Sequence, residues 1–183
     1  MAGAPERSAG PGRMLALVRA LMYASVFVAV LLVVLPGRVL DWTGVSRPDG
    51  FGPMQVAGSV LILAGGALVG WCVLTFAIVG RGTPAPFDPP RRLVVSGPYG
   101  FVRNPMYLGA ILALAGAALF YGSVALLGYS AVFAAATHVM VRVYEEPNLR
   151  RLFGASYDAY RGRAGRWLPG VGLSGDAPTT RSE

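Results

Sequence analysis

The stretch "MYLGAILALAGAALFYGSVALLGYSAVFAAATHVMV", residues 106–141, decides the fold class of this chain. It holds two apolar runs, 106–121 and 124–141, separated only by the Gly-Ser break at 122–123. Each run is close to the lower limit of length for a helix that crosses a bilayer. A break this short predicts that the two helices form a tight antiparallel hairpin.

Two further apolar runs precede the hairpin, at 15–36 and 54–79. The first ends at Pro36 and is too long for the apolar part of a secretory signal, so we expect a retained helix. The sequence thus predicts an all-α polytopic membrane protein with four spans, at about 15–36, 54–79, 106–121 and 124–146. Small residues at four-residue spacing predict close helix packing; they are Gly66 and Gly70 in the second run and Gly109, Ala113 and Ala117 in the third.

The composition agrees with a lipid environment. Only 14% of residues are charged and the mean hydropathy is +0.53, whereas a soluble domain carries about 25% charged residues. The net charge of +7 comes from arginine alone, without an aromatic-interleaved basic patch, so nucleic-acid binding is not expected. The single cysteine, Cys72, excludes an internal disulfide and has no metal-ligand partner nearby, and we predict no metal site.

The arginines also predict the orientation. They are concentrated before the first run, in the connection 80–105 and after the fourth run, whereas the connection 37–52 is neutral. Because arginine-rich connections stay in the cytoplasm, both termini are expected there. The lysine-free composition, rich in Ala, Gly, Val and Arg, suits a high-GC bacterial genome, so the expected location is a bacterial inner membrane.

The two ends of the chain differ in pattern. Residues 1–13 and 170–183 are small, polar or Gly-rich, and we expect disordered tails there. Residues 147–163 carry one apolar stripe, which predicts an amphipathic helix at the membrane interface or folded over the cytoplasmic ends of the spans. Arg150, Arg151 and Arg161 are expected to face away from that stripe.

The fourth run ends in ionisable residues, "HVMVRVYEEP", 138–147. On a regular helix His138, Arg142 and Glu145 share one face. Arg142 can pair with Glu145 or Glu146, which still leaves one carboxylate that needs water or a cationic ligand. Pro147 is expected to end or kink the span at Glu146.

A second polar block, "GPYGFVRNPMYLG" at 97–109, lies at the same predicted side of the membrane. Arg103, Asn104 and two tyrosines of this block would meet the Glu145–Glu146 pair there. The predicted pocket combines a cation, an amide, aromatic rings and carboxylates, which suits a zwitterionic, nucleotide-like ligand.

These two blocks resemble the isoprenylcysteine carboxyl methyltransferase family and the related phospholipid N-methyltransferases. The shared pattern is G-P-Y-x-x-x-R-H-P-x-Y-x-G, a Glu-Glu pair, F-G-x-x-Y-x-x-Y and a closing R-x-x-P, and it extends over residues 81–169. The chain departs from it at Asn104, where the family often has histidine; asparagine cannot take up a proton.

The resemblance implies a single membrane methyltransferase domain, 14–169, that uses S-adenosyl-L-methionine. The cofactor-binding residues carried over by position are Gly97, Pro98, Tyr99, Arg103, Pro105, Tyr107, Gly109, Glu145 and Glu146. The candidate catalytic residues are Arg103, Asn104, His138 and Glu145, and the candidate substrate-binding residues are Arg92 and Arg142. Expected partners are membrane lipids and a lipophilic methyl acceptor.

The residues leave the acceptor open. A carboxylate needs only orientation by an arginine, whereas an amine such as phosphatidylethanolamine needs a general base, for which His138 or a glutamate is available. We favour carboxylate O-methylation over phospholipid N-methylation. Two other classes are weighed: an NADPH-dependent enzyme like the membrane sterol reductases, which resemble this family in their C-terminal half, and a non-catalytic membrane protein.

Overall fold

The computed structural model describes residues 28–75, 78 and 93–170 of the chain. Within those ranges the protein is helical and contains no strand. The helices are α1 (Leu35–Thr43), α2 (Pro53–Thr75), α3 (Pro105–Tyr121), α4 (Val124–Met140), α5 (Glu146–Phe153) and α6 (Ala155–Arg163). A π-helical turn at Val30–Val34 leads into α1, another at Val141–Glu145 joins α4 to α5, and a 3₁₀ turn at Gly97–Gly100 precedes α3.

The predicted hairpin is confirmed in α3 and α4. Gly122 closes α3 in the left-handed conformation, at φ 59°. The side chain of Ser123 then caps α4 by accepting from the backbone N–H of Leu126 at 3.2 Å. The two residues between the apolar runs are therefore sufficient to reverse the chain.

Two predicted helix ends are wrong, and in both cases a proline lies two residues after a π-helical turn. The first helix continues through Pro36 to Thr43, and the fourth continues through Pro147 to Phe153. A proline within a helix removes one hydrogen bond and clashes with the carbonyl four residues earlier. The π turns shift the pairing by one residue: Leu35 N–H donates to Val30, and Glu146 N–H donates to Val141. We infer that this wider turn accommodates each proline without ending the helix.

The predicted interfacial helix 147–163 is also corrected, because it forms two elements. Its first half, α5, is the end of the long helix Val124–Phe153. This helix ends at Gly154, which adopts φ 50°, and α6 begins at the next residue. Since that backbone conformation strains residues with a side chain, the glycine fixes the position of the break.

Helices α2 and α3 pack closely through glycines, although not through the G-x-x-x-G of the sequence. A Cβ atom on Gly65 would lie 2.4 Å from the carbonyl oxygen of Gly109, and one on Gly58 would lie 2.7 Å from that of Gly116. Gly66 and Gly70 have no such neighbour within 4 Å. The prediction of packing at Gly66 and Gly70 is therefore wrong, since these two residues lie on the outer face of α2.

The prediction that small residues of α3 form a packing face is confirmed in part. Gly109 and Ala113 both lie against Gly65, and the next close approach on α3 is at Gly116. Hydrogen bonds add to the packing: Gln55 donates to the carbonyl of Phe120 at 3.3 Å, and Tyr129 on α4 donates to that of Leu31 at 2.7 Å.

Two of the described helices, Pro53–Thr75 and Val124–Phe153, are long and apolar enough to cross a membrane. Only 17% and 22% of their most apolar windows are buried inside the protein, whereas a core helix of a soluble protein is mostly buried. The apolar surface therefore faces outward, as it does in lipid. Helix α3 is apolar but shorter, at 17 residues, and residues 15–27 of the first run lie outside the described ranges. The four predicted spans thus stay a prediction.

Candidate functional site

The block at residues 97–104 forms a tight turn against the end of α2. Gly97 adopts φ 60°, and a Cβ atom there would lie 2.9 Å from the hydroxyl oxygen of Thr75. Pro98 and Tyr99 follow in the 3₁₀ turn and are buried. Pro105 then begins α3 at a position where its missing N–H has no cost. The glycines and prolines of this block thus bend the chain into the start of α3.

The C-terminal segment 155–167 covers this turn through backbone contacts. Arg103 N–H donates to the carbonyl of Gly165 at 2.8 Å, and the side-chain amide of Asn104 donates to that of Arg166 at 3.2 Å. The hydroxyl of Tyr160 donates to the carbonyl of Tyr99 at 2.6 Å. Burial raises the pKa of Tyr160, so its hydroxyl remains a neutral donor.

A buried charge cluster joins the turn, the long helix and the C-terminal segment. Glu146 lies 3.2 Å from a terminal nitrogen of Arg103, and Arg166 donates to both of its oxygens at 2.7 and 2.8 Å. The exposed fraction is 8% for the Arg103 side chain, 14% for Glu146 and 26% for Arg166. The hydrogen bond to Glu146 raises the pKa of Arg166, so this guanidinium stays charged.

Glu145 lies beside this cluster but has a different partner. Its carboxylate accepts from the hydroxyl of Tyr107 on α3 at 3.2 Å. The sequence predicted that one carboxylate of the pair would be left without an arginine. In the structure Glu146 has two arginines and Glu145 has a tyrosine hydroxyl, so Glu145 is the carboxylate able to accept from a cationic or hydroxyl-bearing ligand.

Arg103 provides a second group that can still form a hydrogen bond. Its terminal nitrogen also donates to the hydroxyl of Tyr157 at 3.4 Å. Its Nε atom is buried and has no hydrogen-bond partner among the described residues. A buried donor without a partner is uncommon in folded proteins, so this N–H group is available to a ligand.

His138 meets the C-terminal segment rather than the carboxylates. The indole Nε1–H of Trp167 donates to Nδ1 of His138 at 3.0 Å, and the two rings stack with centroids 6.1 Å apart. A histidine that accepts at Nδ1 carries its proton on Nε2 when it is neutral. In this conformation Nδ1 is occupied by the indole N–H of Trp167.

The predicted pairing of Arg142 with the glutamates is not formed. Arg142 is exposed, while Glu145 and Glu146 have the partners given above. The physical reason is the π turn at Val141–Glu145, since an added residue per turn rotates the following side chains away from the regular helix face. Arg92, the other predicted substrate-binding residue, lies outside the described ranges.

Four contributors were absent from the predicted site: Tyr157, Tyr160, Arg166 and Trp167. The two tyrosines had been assigned to an apolar stripe, and in the structure both are buried against Ala164. Arg166 opens the closing R-x-x-P of the pattern. That position in the family pattern was the available signal, because charge alone does not distinguish Arg166 from the other arginines of the segment.

A family model described as phospholipid methyltransferase matches residues 53–156, which is more than half of the chain. The chain belongs to the phospholipid methyltransferase family. Searches among curated proteins and among solved structures gave no match. Family membership agrees with the resemblance seen in the sequence and indicates a membrane methyltransferase. Within the phospholipid methyltransferase domain lie Arg103, Glu145 and Glu146, while Arg166 and Trp167 follow it and cover it.

Proposed function

We propose that the protein is an S-adenosyl-L-methionine-dependent methyltransferase that acts on a lipid-borne acceptor, with a carboxylate as the favoured methyl-accepting group. The observation that carries this proposal is the convergence of the two polar blocks. Arg103 from the turn and Glu146 from the long helix meet at 3.2 Å, although they are far apart in the sequence. Beside them, Glu145 and the Nε atom of Arg103 retain capacity for a ligand.

The chemistry of these groups fits the cofactor. S-adenosyl-L-methionine carries an ammonium group, a carboxylate, a ribose diol and an adenine ring, and when bound it supplies an electrophilic methyl group on its sulfonium. Glu145 can accept from the ammonium or the diol, and the guanidinium of Arg103 can donate to the carboxylate. Both side chains are held by contacts with part-buried neighbours, so they can orient a ligand at little further cost in entropy.

In this proposal Glu146 does not contact the cofactor directly. Its two oxygens already accept from Arg103 and Arg166. We therefore assign it as a positioning residue, which holds Arg103 toward the ligand and attaches the C-terminal segment through Arg166. Asn104 acts similarly, through its amide contact with the backbone of Arg166.

The length of the long helix supports an acceptor at the membrane surface. Its 30 residues extend over about 45 Å at about 1.5 Å per residue. The hydrocarbon core of a bilayer is about 30 Å thick, so roughly the first 20 residues suffice to cross it. Glu145 and Glu146 then lie near the boundary between hydrocarbon and headgroups. Under the predicted orientation this boundary is the cytoplasmic one.

The state of His138 supports a carboxylate acceptor. A carboxylate is nucleophilic without loss of a proton, whereas an ammonium headgroup must first be deprotonated. Because Nδ1 of His138 accepts from Trp167, this histidine is not available as a base in the described conformation. N-methylation of phosphatidylethanolamine remains the second candidate, because Glu145 can serve as a base and the family carries the phospholipid description.

The test is methyl transfer in lipid nanodiscs with a bacterial membrane extract and S-adenosyl-L-methionine labelled on the methyl group. Alkali releases labelled methanol from methyl esters but not from N-methyl groups. We expect alkali-labile label in the lipid fraction with the wild type and strongly reduced label with Glu145→Gln. Asp49→Asn, an acid-to-amide change at an exposed residue far along the chain from the site, is the control and should retain activity. Alkali-stable label would support the amine acceptor, and no label from a folded protein that binds the cofactor would contradict a lipid acceptor.

A further inference from the structure

Arg161 is less exposed than the other arginines of α5 and α6. Arg150 and Arg151 are exposed, as the amphipathic pattern predicts. Arg161 was predicted to face outward with them, but its side chain is only 27% exposed. Its terminal nitrogen lies 3.4 Å from Asp158, and its Nε atom is buried without a hydrogen-bond partner in the part of the chain that the structure describes. That prediction is wrong for Arg161, whose side chain is mostly buried.

Arg161 adds positive charge to a cluster that already has an excess. Arg103 and Arg166 both pair with the single carboxylate of Glu146, and Arg161 adds a third positive charge near it. The other acidic neighbour of Arg161 is Asp158, which is 41% exposed and also pairs with Arg150. Two guanidinium groups therefore share the buried carboxylate, and Arg161 shares an exposed one with Arg150. In a poorly solvated place such an excess favours binding of an anion.

Tyr157 connects the two arginines that have unused donors. Its hydroxyl accepts from Arg103 at 3.4 Å, and the charges of both Arg103 and Arg161 act on it. A hydroxyl that accepts one hydrogen bond keeps its own hydrogen for another. Tyr157 and Arg161 lie four residues apart on α6 and so share one face of that helix. The Nε–H groups of Arg103 and Arg161 and the Tyr157 hydroxyl are thus three donors on neighbouring side chains.

We propose that Arg161, together with Arg103 and Tyr157, forms a binding subsite for an oxyanion, either a carboxylate or a phosphate group. The proposal rests on the proposed function for the identity of the ligand, since both the cofactor and an acceptor lipid carry such a group. Arginine suits both anions because its planar guanidinium can donate two parallel hydrogen bonds. The subsite would fix the anionic end of one ligand beside Glu145.

The first test uses inorganic phosphate and the full-length protein in detergent. The thermal midpoint is measured with rising phosphate, against sodium chloride at equal ionic strength, for the wild type, Arg161→Gln and Arg163→Gln. Arg163 is an exposed arginine on the same helix and provides the matched control. We expect phosphate to raise the midpoint of the wild type and of Arg163→Gln but not of Arg161→Gln. Arg161→Lys, which keeps the charge, should retain part of the shift and shows that a folded protein responds to charge at this position.

The second test identifies the source of the oxyanion. If it belongs to the cofactor, Arg161→Gln weakens binding of S-adenosylhomocysteine about tenfold or more but leaves binding of its decarboxylated analogue unchanged. If it belongs to the acceptor, Arg161→Gln leaves both affinities unchanged and raises the KM for the acceptor. Equal phosphate shifts in the wild type and Arg161→Gln, or no shift in the wild type, would overturn the subsite. A wild type that shows the phosphate shift but binds no S-adenosylhomocysteine would overturn the proposed function and leave the subsite standing.

Discussion

Glu146→Gln should lower the stability of the protein substantially, because it removes the one carboxylate that Arg103 and Arg166 share. The three contacts, at 3.2, 2.7 and 2.8 Å, involve side chains that are at least about three-quarters buried. Breaking a buried ion pair from one side costs about 3–5 kcal/mol, since the remaining charge stays unpaired. Arg166 retains some contact with solvent, so we expect the lower end, about 3 kcal/mol. For a chain of this size that corresponds to a fall in the thermal midpoint of about 9 °C.

The assay is thermal denaturation in detergent, followed by tryptophan fluorescence, with Asp158→Asn as the matched control. Asp158 also contacts two arginines, but it is 41% exposed and Arg150 is 62% exposed. An exposed pair contributes about 0–1 kcal/mol, so the control should shift by no more than about 3 °C. If both variants shift by the same small amount, Glu146 does not link the turn to the C-terminal segment, and the reasoning about the cluster is refuted.

Two further predictions concern packing and the covering segment. Gly65→Ala should lower the thermal midpoint, since its Cβ would collide with backbone atoms of α3 at a cost of about 1–3 kcal/mol. The control Gly66→Ala, whose Cβ meets no atom within 4 Å, should not lower the midpoint. Equal effects of the two substitutions would contradict the α2–α3 contact. Tyr160→Phe removes the donor to the buried carbonyl of Tyr99, at a cost of about 1–3 kcal/mol. Trypsin should therefore cleave the C-terminal segment of this variant faster than that of Tyr144→Phe, a control substitution at an exposed tyrosine. Unchanged cleavage would show that this contact does not hold the segment in place.

The sequence predicted the hairpin well, because a two-residue break between apolar runs allows only one close arrangement. It failed at Pro36 and Pro147, where local rules end a helix. The structure continues both helices through π turns, and a π turn leaves no signature in composition or spacing. Similarly, the choice between Gly65 and Gly66 depends on which face of α2 meets α3, and a uniformly apolar helix does not reveal that face.

The sequence predicted the residues of the candidate site that belong to the family pattern. It predicted poorly the ion pairs between residues that are far apart in the sequence. The proximity of Arg103 to the Glu-Glu pair was expected and is found at 3.2 Å. Arg142 was the nearest arginine in sequence, yet Glu146 pairs instead with Arg166, twenty residues away. Helical spacing identifies neighbours on one helix, whereas the chain reversal at Gly154 brings a distant arginine back to the same carboxylate.

The central claim is that Glu145 and its neighbours bind S-adenosyl-L-methionine, and calorimetric titration with S-adenosylhomocysteine tests it most directly. The detergent-purified wild type should bind one equivalent, and Glu145→Gln should lose about tenfold or more in affinity while its thermal midpoint without ligand changes little, since Gln can still accept from Tyr107. Absence of binding to a folded wild type, or equal affinity in both proteins, would contradict the account.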